Sequence, residues 1–465
     1  MTHQFDLAIL GAGSAGYACA LRAAQLGLRV AMFDDQPVGG TCLHRGCIPA
    51  KAWLQAAKVR RTVAKADAFG IGATLGDTDV PALLRYVNGV ITPLHKGLEG
   101  LIAARGITVV RERGRLDLAD DGPGIRVGDA RYDARAVVVA TGASPVTMGL
   151  PVDGEHILTS DHALRLDALP SSAIVLGGGV IGVEFASMWA DLGVRVTLVE
   201  AMDRLLPTEE PTHASILKAE LMSRGVDVRT GTKLTGLRID GGVTGRLGEE
   251  ELTADVLLVA VGRRPNTEGL GLEEAGIEVA DGGHVVVDDT LQTRARGVYA
   301  AGDVVAGPQL AHRGYAHGVF LAERVAQLQG LHPHRPTLPK DSDLPRITYS
   351  HPQVASVGLT PEQAGPNTEC KDYSLAGNGR SRILRAPGTR DSGNVLLVRS
   401  PDGPIVGVHL IGEDVGELIA EGALMVGWQA TPEDVAGIVH PHPTLSEAIA
   451  EANWSLAGRP LHAHD

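Results

Sequence analysis

The chain begins with a regular succession of apolar and mixed segments. The apolar run LAIL, which starts at Leu7, leads into the glycine-rich turn GAGSAG and then into a stretch with helical spacing of apolar residues. That stretch ends at a Leu-Gly pair, and a second apolar run then ends directly before Asp34. Uninterrupted apolar runs are typical of strands buried in a parallel sheet, so the pattern predicts strand, turn, helix and second strand.

The same pattern occurs a second time further along the chain. The segment that ends at Asp34 matches a segment that runs from Ile174 to Glu200. The spacing from the first glycine of the turn to the closing acid is the same, whether counted from Gly11 or from Gly177. The repeat predicts two similar nucleotide-binding units in one chain.

Further apolar strands and a separate C-terminal region complete the pattern. Short strands that end in turns are predicted within residues 136–145, 256–266 and 297–304, and a helix near 310–328. The polar stretch HPHRPTLPKDSDLPR predicts a linker, and the chain from about Ile347 alternates short strands with helices. The predicted fold class is therefore α/β, with two doubly wound, Rossmann-like nucleotide-binding domains followed by an α+β domain.

Composition excludes several classes of protein. The 465 residues carry a net charge of −13, which argues against nucleic acid or an anionic membrane as partner. No apolar run is long enough to span a bilayer, and no signal or transit peptide is expected before Phe5. The four cysteines are too few for a secreted disulfide framework, so we expect a cytoplasmic protein.

Each glycine of a G-x-G-x-x-G turn has its own role in holding a dinucleotide. The first makes the tight turn, the second lets the backbone approach a pyrophosphate, and the third lets helix and strand pack closely. These positions are Gly11, Gly13 and Gly16 in the first copy, and Gly177, Gly179 and Gly182 in the second. The alternative for either copy alone is an ordinary strand-to-helix turn, but two matched copies argue against it.

The acids that close the two units indicate which dinucleotides bind. Asp34 and Glu200 can accept hydrogen bonds from ribose hydroxyls, and Glu200 would repel a 2′-phosphate. The second site is therefore predicted to prefer NAD to NADP. Two dinucleotides in one chain imply an electron relay, for which the usual pair is FAD and NAD.

Two of the four cysteines lie in one short segment, GGTCLHRGCIPAK, which is called the cysteine loop below (Gly39–Lys51). A helical pattern follows Cys47, and a helix N-terminus stabilises a thiolate. Cys42 and Cys47 are predicted to cycle between disulfide and dithiol beside a flavin. The alternatives are two unpaired core cysteines or half of a zinc site, which the isolated positions of Cys19 and Cys370 disfavour.

A histidine and a glutamate near the C-terminus provide a candidate base. In HPHPTLSEA, His442 precedes Glu447 by five positions. Imidazole is a suitable base for a thiol, and a carboxylate behind it fixes the tautomer. Thr444 to Glu447 also reads as a helix capping box, with Pro443 near the helix start. The spacing alone leaves these two interpretations about even.

These motifs together resemble the pyridine nucleotide–disulfide oxidoreductase family, and most strongly its members that oxidise dihydrolipoamide. The resemblance is carried by GGTCLHRGCIPAK, ATGASP, GGGVIGVE, VGRRPN, AAGDV with QLAH, and HPHPTLSEA, over essentially the whole chain. It implies an FAD domain at 1–146 that continues at 270–340, an NAD domain at 147–269, and an interface domain at 345–465.

The resemblance also implies roles for individual residues. Cys42 would exchange disulfide with the substrate, and Cys47 would lie under the flavin as a charge-transfer thiolate. Lys51 would lie beside the flavin and pair with Glu184, for which an ordinary surface ion pair is the alternative; Asp303 would bond the ribityl chain. The remaining implied contacts are, for FAD, Gly40, Thr41, Gly114, Thr141, Gly142, Leu310, Ala311 and His312 and, for NAD, Glu184 and Gly262.

The implied activity is oxidation of protein-bound dihydrolipoamide to lipoamide with NAD, through the Cys42–Cys47 disulfide and FAD. In the family, the histidine–glutamate pair comes from the partner subunit, so His442 and Glu447 are expected to act across an obligate homodimer. The expected partner is the lipoyl-bearing acyltransferase core of a 2-oxoacid dehydrogenase complex, or the carrier protein of glycine cleavage.

Other functions remain open from the sequence. One alternative is an NAD(P)H-dependent reductase of another disulfide or of a metal ion, like glutathione, mycothione or mercuric reductases. Glu200 disfavours NADPH, and the C-terminus lacks the second cysteine pair of mercuric reductase. An alternative of another class is a catalytically dormant FAD-binding regulatory subunit.

The chain departs from the commonest family pattern at a few positions near these motifs. The cysteine loop has His44-Arg45 where Asn-Val is common, which leaves the disulfide potential open. Tyr315 and His317 follow QLAH where many members have acidic residues, and this change could alter flavin or intersubunit contacts.

Overall fold

The structure, a computed structural model, describes residues 4–331, 333–389 and 392–462; His332, the first residue of the predicted linker, lies outside them. The described strands are, in chain order, β1 (Leu7–Leu10), β2 (Val30–Phe33), β3 (Thr108–Val110), β4 (Arg115–Ala119), β5 (Gly122–Val127), β6 (Ala130–Asp133), β7 (Val137–Val139), β8 (Ala143–Pro145), β9 (Ile157–Leu158), β10 (Ser172–Leu176), β11 (Arg195–Val199), β12 (Asp227–Arg229), β13 (Leu234–Ile239), β14 (Val243–Leu247), β15 (Glu250–Ala254), β16 (Val256–Val259), β17 (Arg263–Pro265), β18 (Val298–Ala300), β19 (Arg346–Thr348), β20 (Gln353–Gly358), β21 (Glu369–Ser374), β22 (Asn394–Arg399) and β23 (Ile405–Gly412). The described helices are α1 (Ser14–Gln25), α2 (Gly40–His44), α3 (Cys47–Ala64), α4 (Val80–Ala104), α5 (Ser160–Ala163), α6 (Val180–Asp191), α7 (Pro211–Ser223), α8 (Ala311–Leu328), α9 (Pro361–Ala364), α10 (Gly379–Leu384), α11 (Val415–Gly427), α12 (Pro432–Ala436) and α13 (Glu447–Leu456).

The chain divides into two compact units. Unit 1 consists of residues 1–52, 85–146 and 263–341, and unit 2 of residues 53–84, 147–262 and 342–465. The three domain ranges predicted from the sequence stay a prediction. The fold class itself is confirmed: both units contain parallel α/β sheets of the predicted kind.

Unit 1 is built on a five-stranded parallel sheet in the order β18-β7-β1-β2-β3. Leu7 and Ile9 of β1 face a core shared with α1 and α8, whereas Ala8 and Leu10 face a core shared with β4 and β5. Because both faces of the sheet are covered, every residue of β1 is buried. This explains why the strand is an apolar run without alternation.

Helices α1 and α8 of unit 1 approach each other closely because α8 has glycines one turn apart on its facing side. A side chain at Gly318 would collide with the backbone of Ala15 and Cys19, and one at Gly314 would press on Ser14 and Ala15. Because the helices approach closely, the first turns of α1 lie beside the first turns of α8. Helix α8 directly follows the predicted flavin-binding segment.

Unit 2 contains a second parallel sheet with the same local design. Its order is β12-β11-β10-β16-β9, and β10 pairs with β11 from Ser172 opposite Arg195 to Leu176 opposite Val199. Helix α6 packs on β10 and β11, as α1 packs on β1 and β2 in unit 1. The sequence repeat therefore corresponds to a structural repeat.

The C-terminal part of unit 2 forms an antiparallel sheet in the order β19-β20-β23-β22-β21. Its core joins strand residues such as Val357 and Leu410 to Ile419 of α11 and Ile449 of α13. Strands and helices alternate here as the sequence predicts. Among the described residues, no helix is both long and apolar enough to cross a membrane.

Candidate active site

The first nucleotide turn lies at the carboxyl end of β1 in unit 1. Gly11 has φ +99°, and a side chain there would collide with the carbonyl of Ala140. A side chain at Gly16 would collide with the carbonyl oxygen of Gly11. By contrast, the nearest atom to a Cβ added at Gly13 is 3.9 Å away. Gly13 therefore leaves space at the helix N-terminus that a phosphate could occupy, and its cofactor contact stays a prediction.

Asp34 closes the first turn by holding its backbone. Its carboxylate accepts hydrogen bonds from the N–H groups of Ala12, at 2.7 Å, and Gln36, at 2.8 Å. Burial raises the pKa of Asp34, against the opposing effect of these two donors. The predicted ribose contact would thus add to a carboxylate that is already oriented.

The second turn, in unit 2, repeats this geometry residue by residue. Gly177 has φ +111° and abuts the carbonyl of Ala260. The carboxylate of Glu200 accepts from the N–H groups of Gly178, at 2.5 Å, and Met202, at 2.7 Å. No atom lies within 4 Å of a Cβ added at Gly179. The acid predicted to select NAD is therefore fixed beside an open helix N-terminus.

Two glycine substitutions should separate cofactor binding from folding in this second turn. Gly179 has φ −74°, so alanine fits its backbone, and the new methyl group points into open space where a pyrophosphate approaches. We expect Gly179→Ala to raise the KM for NAD about 10-fold or more, which corresponds to a loss of about 1.4 kcal/mol in binding free energy. The melting temperature should stay unchanged.

Gly182→Ala is the matched control, because its methyl group would collide with the carbonyl oxygen of Gly177. We expect it to lower the free energy of unfolding by about 1–3 kcal/mol. Steady-state kinetics and thermal unfolding measure both variants. A wild-type KM for NAD in Gly179→Ala would contradict the assignment of this turn.

Other residues of unit 1 fit the flavin nucleotide that the sequence predicts. The Thr141 hydroxyl donates to the carbonyl of Asn266, at 2.6 Å, and the Asn266 amide donates to the carbonyl of Thr141, at 3.0 Å. This clamp fixes the turn at Gly142, which has φ +70° and open space where a Cβ would lie. Gly114 is buried, and a side chain there would press on Ile125 and Leu10.

The short 3-10 turn Gly302–Val304 carries Asp303, whose carboxylate is partly buried. Burial raises the pKa of Asp303, and Arg263, Arg313 and His284 oppose this effect through their charge. Within the described residues, no donor hydrogen-bonds the carboxylate, which suits a group that binds the hydroxyls of a ribityl chain. Leu310 is the N-cap of α8, and Ala311 and His312 form its first turn.

The cysteine loop folds into α2 and the start of α3. Cys42 lies in α2, and Cys47 is the first residue of α3, the helix N-terminus that the sequence predicts for it. The two cysteines are not joined in a disulfide, and their side chains hydrogen-bond each other. The contact with Cys47 and burial raise the pKa of the Cys42 thiol. Cys47 lies at a helix N-terminus, a position that stabilises a thiolate.

Two cationic or polar groups of unit 1 oppose the rise in the pKa of Cys42. One is the hydroxyl of Tyr315, which hydrogen-bonds its sulfur, and the other is the charge of Lys51 on α3. Gly40 and Thr41 precede Cys42 in α2, and a side chain at Gly40 would lie 2.6 Å from the Cα of Gly13. The cysteine pair and the first nucleotide turn are therefore neighbours.

Unit 2 holds the candidate base. The Nδ1 atom of His442 lies 2.8 Å from Oε1 of Glu447, and the imidazole is 80% exposed. Burial works against ionisation of Glu447, but hydrogen bonds from the Thr444 N–H and from His442 lower its pKa overall. Because Nδ1 pairs with the carboxylate, Nε2 of His442 is directed away from it.

The structure has features of both interpretations of Glu447, as a capping residue and as the carboxylate that orients His442. Its Oε2 accepts from the N–H of Thr444 at 2.8 Å, as in a capping box. However, α13 begins at Glu447 itself and its N-cap is Ser446, so Thr444 is not the cap of the helix. The carboxylate orients His442 and stiffens the turn before it at the same time.

Glu184 on α6 is buried, and its Oε1 accepts from the N–H of Tyr349 at 2.9 Å. Lys51 belongs to unit 1 and Glu184 to unit 2, and their predicted ion pair stays a prediction. Gly262 follows β16 with φ +129° at the end of the second parallel sheet. The sequence did not indicate the Asn266 clamp or the contact of Tyr315 with Cys42.

Comparison with known proteins agrees with this geometry. Residues 5–318 match the family described as pyridine nucleotide-disulphide oxidoreductase, and residues 344–453 match the dimerisation domain of that family. A dihydrolipoyl dehydrogenase of Bacillus subtilis (strain 168) is 38% identical, with 99% of this chain and 100% of the relative covered. One of Thermus scotoductus is 36% identical, with 98% of each chain covered.

Solved structures show the same fold over nearly the whole chain. LpdA from Mycobacterium tuberculosis has a TM-score of 0.87 and 28% identity, covering 97% of this chain and 99% of that one. The Cu(II) complex of the HOCl-induced flavoprotein disulfide reductase RclA from Escherichia coli has a TM-score of 0.83 and 26% identity, covering 98% and 100%.

The chain therefore belongs to the pyridine nucleotide-disulphide oxidoreductase family. It is a flavoprotein oxidoreductase with a redox-active cysteine pair, and its cofactors are FAD and NAD. Its C-terminal part is the dimerisation domain of the family.

Proposed function

We propose that this protein is a dihydrolipoyl dehydrogenase that oxidises protein-bound dihydrolipoamide with NAD. The observation that carries the proposal is the hydrogen-bonded pair of Cys42 and Cys47, with Cys47 at the start of α3 and beside the first dinucleotide turn. Relatives of that name that match essentially the full chain support the choice of lipoamide among disulfides.

The proposed exchange uses residues of this chain in distinct roles. A substrate thiolate attacks the sulfur of Cys42 in the disulfide, the Cys42–Cys47 bond breaks, and the electron pair stays on Cys47. A helix N-terminus under Cys47 stabilises that charge. FAD, when bound, supplies the two-electron connection between the resulting dithiol and NAD.

His442 is the proposed base that takes the substrate thiol proton at Nε2. The carboxylate of Glu447, 2.8 Å from Nδ1, holds the tautomer with a free Nε2 and stabilises the imidazolium. The high exposure of His442 within the described chain suits a group that completes a site in a homodimer. We propose that the histidine–glutamate pair acts on the cysteine pair of the other subunit.

The proposed partner is a lipoyl group carried by a separate protein, either the acyltransferase core of a 2-oxoacid dehydrogenase complex or the glycine-cleavage carrier. The similarity to RclA supports a second candidate, a reductase of another disulfide that works in the direction of NAD(P)H consumption. The two candidates differ in substrate and in the preferred direction of electron flow.

Steady-state kinetics with purified, FAD-loaded protein separates these candidates. We expect dihydrolipoamide oxidation with NAD to have a kcat/KM at least about 100-fold above that with NADP, because the carboxylate of Glu200 would repel the negatively charged 2′-phosphate of NADP. Lipoamide should also be preferred to glutathione disulfide when NADH is the donor. A preference for NADPH or for another disulfide would overturn the lipoamide proposal and leave the family assignment intact.

A further inference from the structure

Two tyrosines meet behind the cysteine pair of unit 1, and the proposed function gives neither of them a role. Tyr17 on α1 and Tyr315 on α8 have their hydroxyl oxygens 2.9 Å apart and their ring centroids 5.7 Å apart. The close packing of α1 on α8, which Gly314 and Gly318 permit, brings them together. Tyr315 also hydrogen-bonds the sulfur of Cys42.

The direction of these hydrogen bonds follows from the number of protons available. The hydroxyl of Tyr17 donates to the oxygen of Tyr315, and Ser14 also hydrogen-bonds that oxygen as a donor. A phenol has one proton and two acceptor sites. Because Tyr17 donates to Tyr315 at 2.9 Å, that bond does not use the proton of Tyr315, which is available to the neighbouring sulfur of Cys42.

The surroundings keep both tyrosines in their donor form. Burial raises the pKa of Tyr17 and also that of Tyr315, so both hydroxyls stay protonated at neutral pH. The ionisable groups that face Cys42 are Cys47 and Lys51 on α3 and Tyr315 on α8, with Tyr17 behind Tyr315. Tyr315 is thus the neutral donor in this set.

We propose that Tyr315 is a catalytic hydrogen-bond donor to the Cys42 sulfur, oriented by Tyr17 as a positioning residue, and that it stabilises this sulfur when it carries negative charge. The inference rests on the proposed function for its substrate, but the contact with Cys42 lies within one unit of this chain. It concerns the exchange sulfur and is independent of the base, His442.

The donor would act in the step that releases the oxidised product. The substrate is then joined to Cys42 by a mixed disulfide, and its second thiolate attacks the substrate sulfur of that bond. A new sulfur–sulfur bond forms within the substrate, the bond to Cys42 breaks, and the electron pair stays on Cys42. A hydrogen bond that strengthens on a developing negative charge lowers the barrier without transferring a proton.

Alkylation of the reduced, FAD-loaded protein by iodoacetamide measures this effect without turnover. The rate at Cys42 is followed against pH by mass spectrometry of the peptide that contains it. We expect Tyr315→Phe to raise the apparent pKa of Cys42 by about one to two units, the size of a hydrogen bond to a charged group. Tyr17→Phe should raise it less, because Ser14 still donates to Tyr315.

Tyr132→Phe is the matched control, since it removes a tyrosine hydroxyl from unit 1 at a ring that packs on Phe33, away from the cysteine loop. Its pH profile should equal that of the wild type. An unchanged profile in Tyr315→Phe overturns the inference. If Tyr315→Phe does not retain FAD, Tyr17→Phe decides: an upward shift supports the donor role, and an unchanged profile overturns it.

Turnover distinguishes this inference from the proposed function. In Tyr315→Phe, the lipoamide rate should fall about 10- to 100-fold relative to the rate of ferricyanide reduction by NADH, which needs no thiol exchange. If the wild type does not turn over lipoamide at all, the proposed function fails, while the alkylation profile still judges Tyr315. If lipoamide turnover is normal in the wild type and in Tyr315→Phe, only the inference fails.

Discussion

Replacing Cys42 by serine should lower dihydrolipoamide turnover by at least about 10⁴-fold, the scale seen when a covalent nucleophile is removed. A serine hydroxyl cannot exchange disulfides, whereas its size and its hydrogen bonds fit the site of the thiol. We therefore expect FAD content and melting temperature to stay at wild-type values. NADH formation from dihydrolipoamide measures the loss.

Cys370→Ser is the control for this substitution. Cys370 is an exposed free thiol on β21, in the antiparallel sheet of unit 2, and has no role in the proposed exchange. It should leave turnover at the wild-type rate. If Cys42→Ser retained about 10% or more of the activity, this result would contradict a disulfide-exchange mechanism, because removal of a nucleophile should cause a much larger loss.

Replacing His442 by glutamine should lower lipoamide turnover about 10²- to 10⁴-fold, the usual range for loss of a general base. Glutamine keeps a polar side chain of similar length but cannot accept the substrate proton. Glu447→Gln should cost less, because its remaining oxygen can still accept from the Thr444 N–H while the charge behind His442 is lost. The initial rates of NADH formation for both variants measure the effect.

His462→Gln provides a matched control in the same unit. The exposed imidazole of His462 pairs with the buried carboxylate of Glu451, with Nδ1 2.6 Å from Oε1, a distance similar to that at His442. The proposed mechanism gives this pair no role, so the variant should turn over lipoamide at the wild-type rate. Equal losses in His462→Gln and His442→Gln would show a general structural effect instead of base catalysis.

The nucleotide turns could be predicted in detail because their chemistry depends on local spacing. Gly11, Asp34, Gly177 and Glu200 lie at fixed distances along a strand–turn–helix–strand unit, and that unit brings each acid to the backbone of its own turn. The position of Cys47 at the start of α3 could be predicted for the same reason, from the helical pattern that follows it.

Other features depend on contacts between distant segments and could not be predicted. Tyr17 and Tyr315 are 298 positions apart, and they meet only because α1 and α8 pack closely in unit 1. The sequence left two roles open for Glu447, because a carboxylate that caps a helix and one that orients His442 need the same residue at the same spacing. The pairing of Lys51 with Glu184 stays a prediction, as do the domain ranges.

Anaerobic reduction with dihydrolipoamide, followed by addition of NAD, is the decisive test of electron transfer from a dithiol through Cys42, Cys47 and FAD to NAD. We expect stoichiometric dihydrolipoamide to produce a long-wavelength absorbance from the Cys47 thiolate beside FAD, and this band to disappear as NADH forms. A band that forms only with NADPH or with another thiol would contradict the lipoamide proposal. No band with any reductant would contradict the redox role of Cys42 and Cys47 and favour a dormant regulatory subunit.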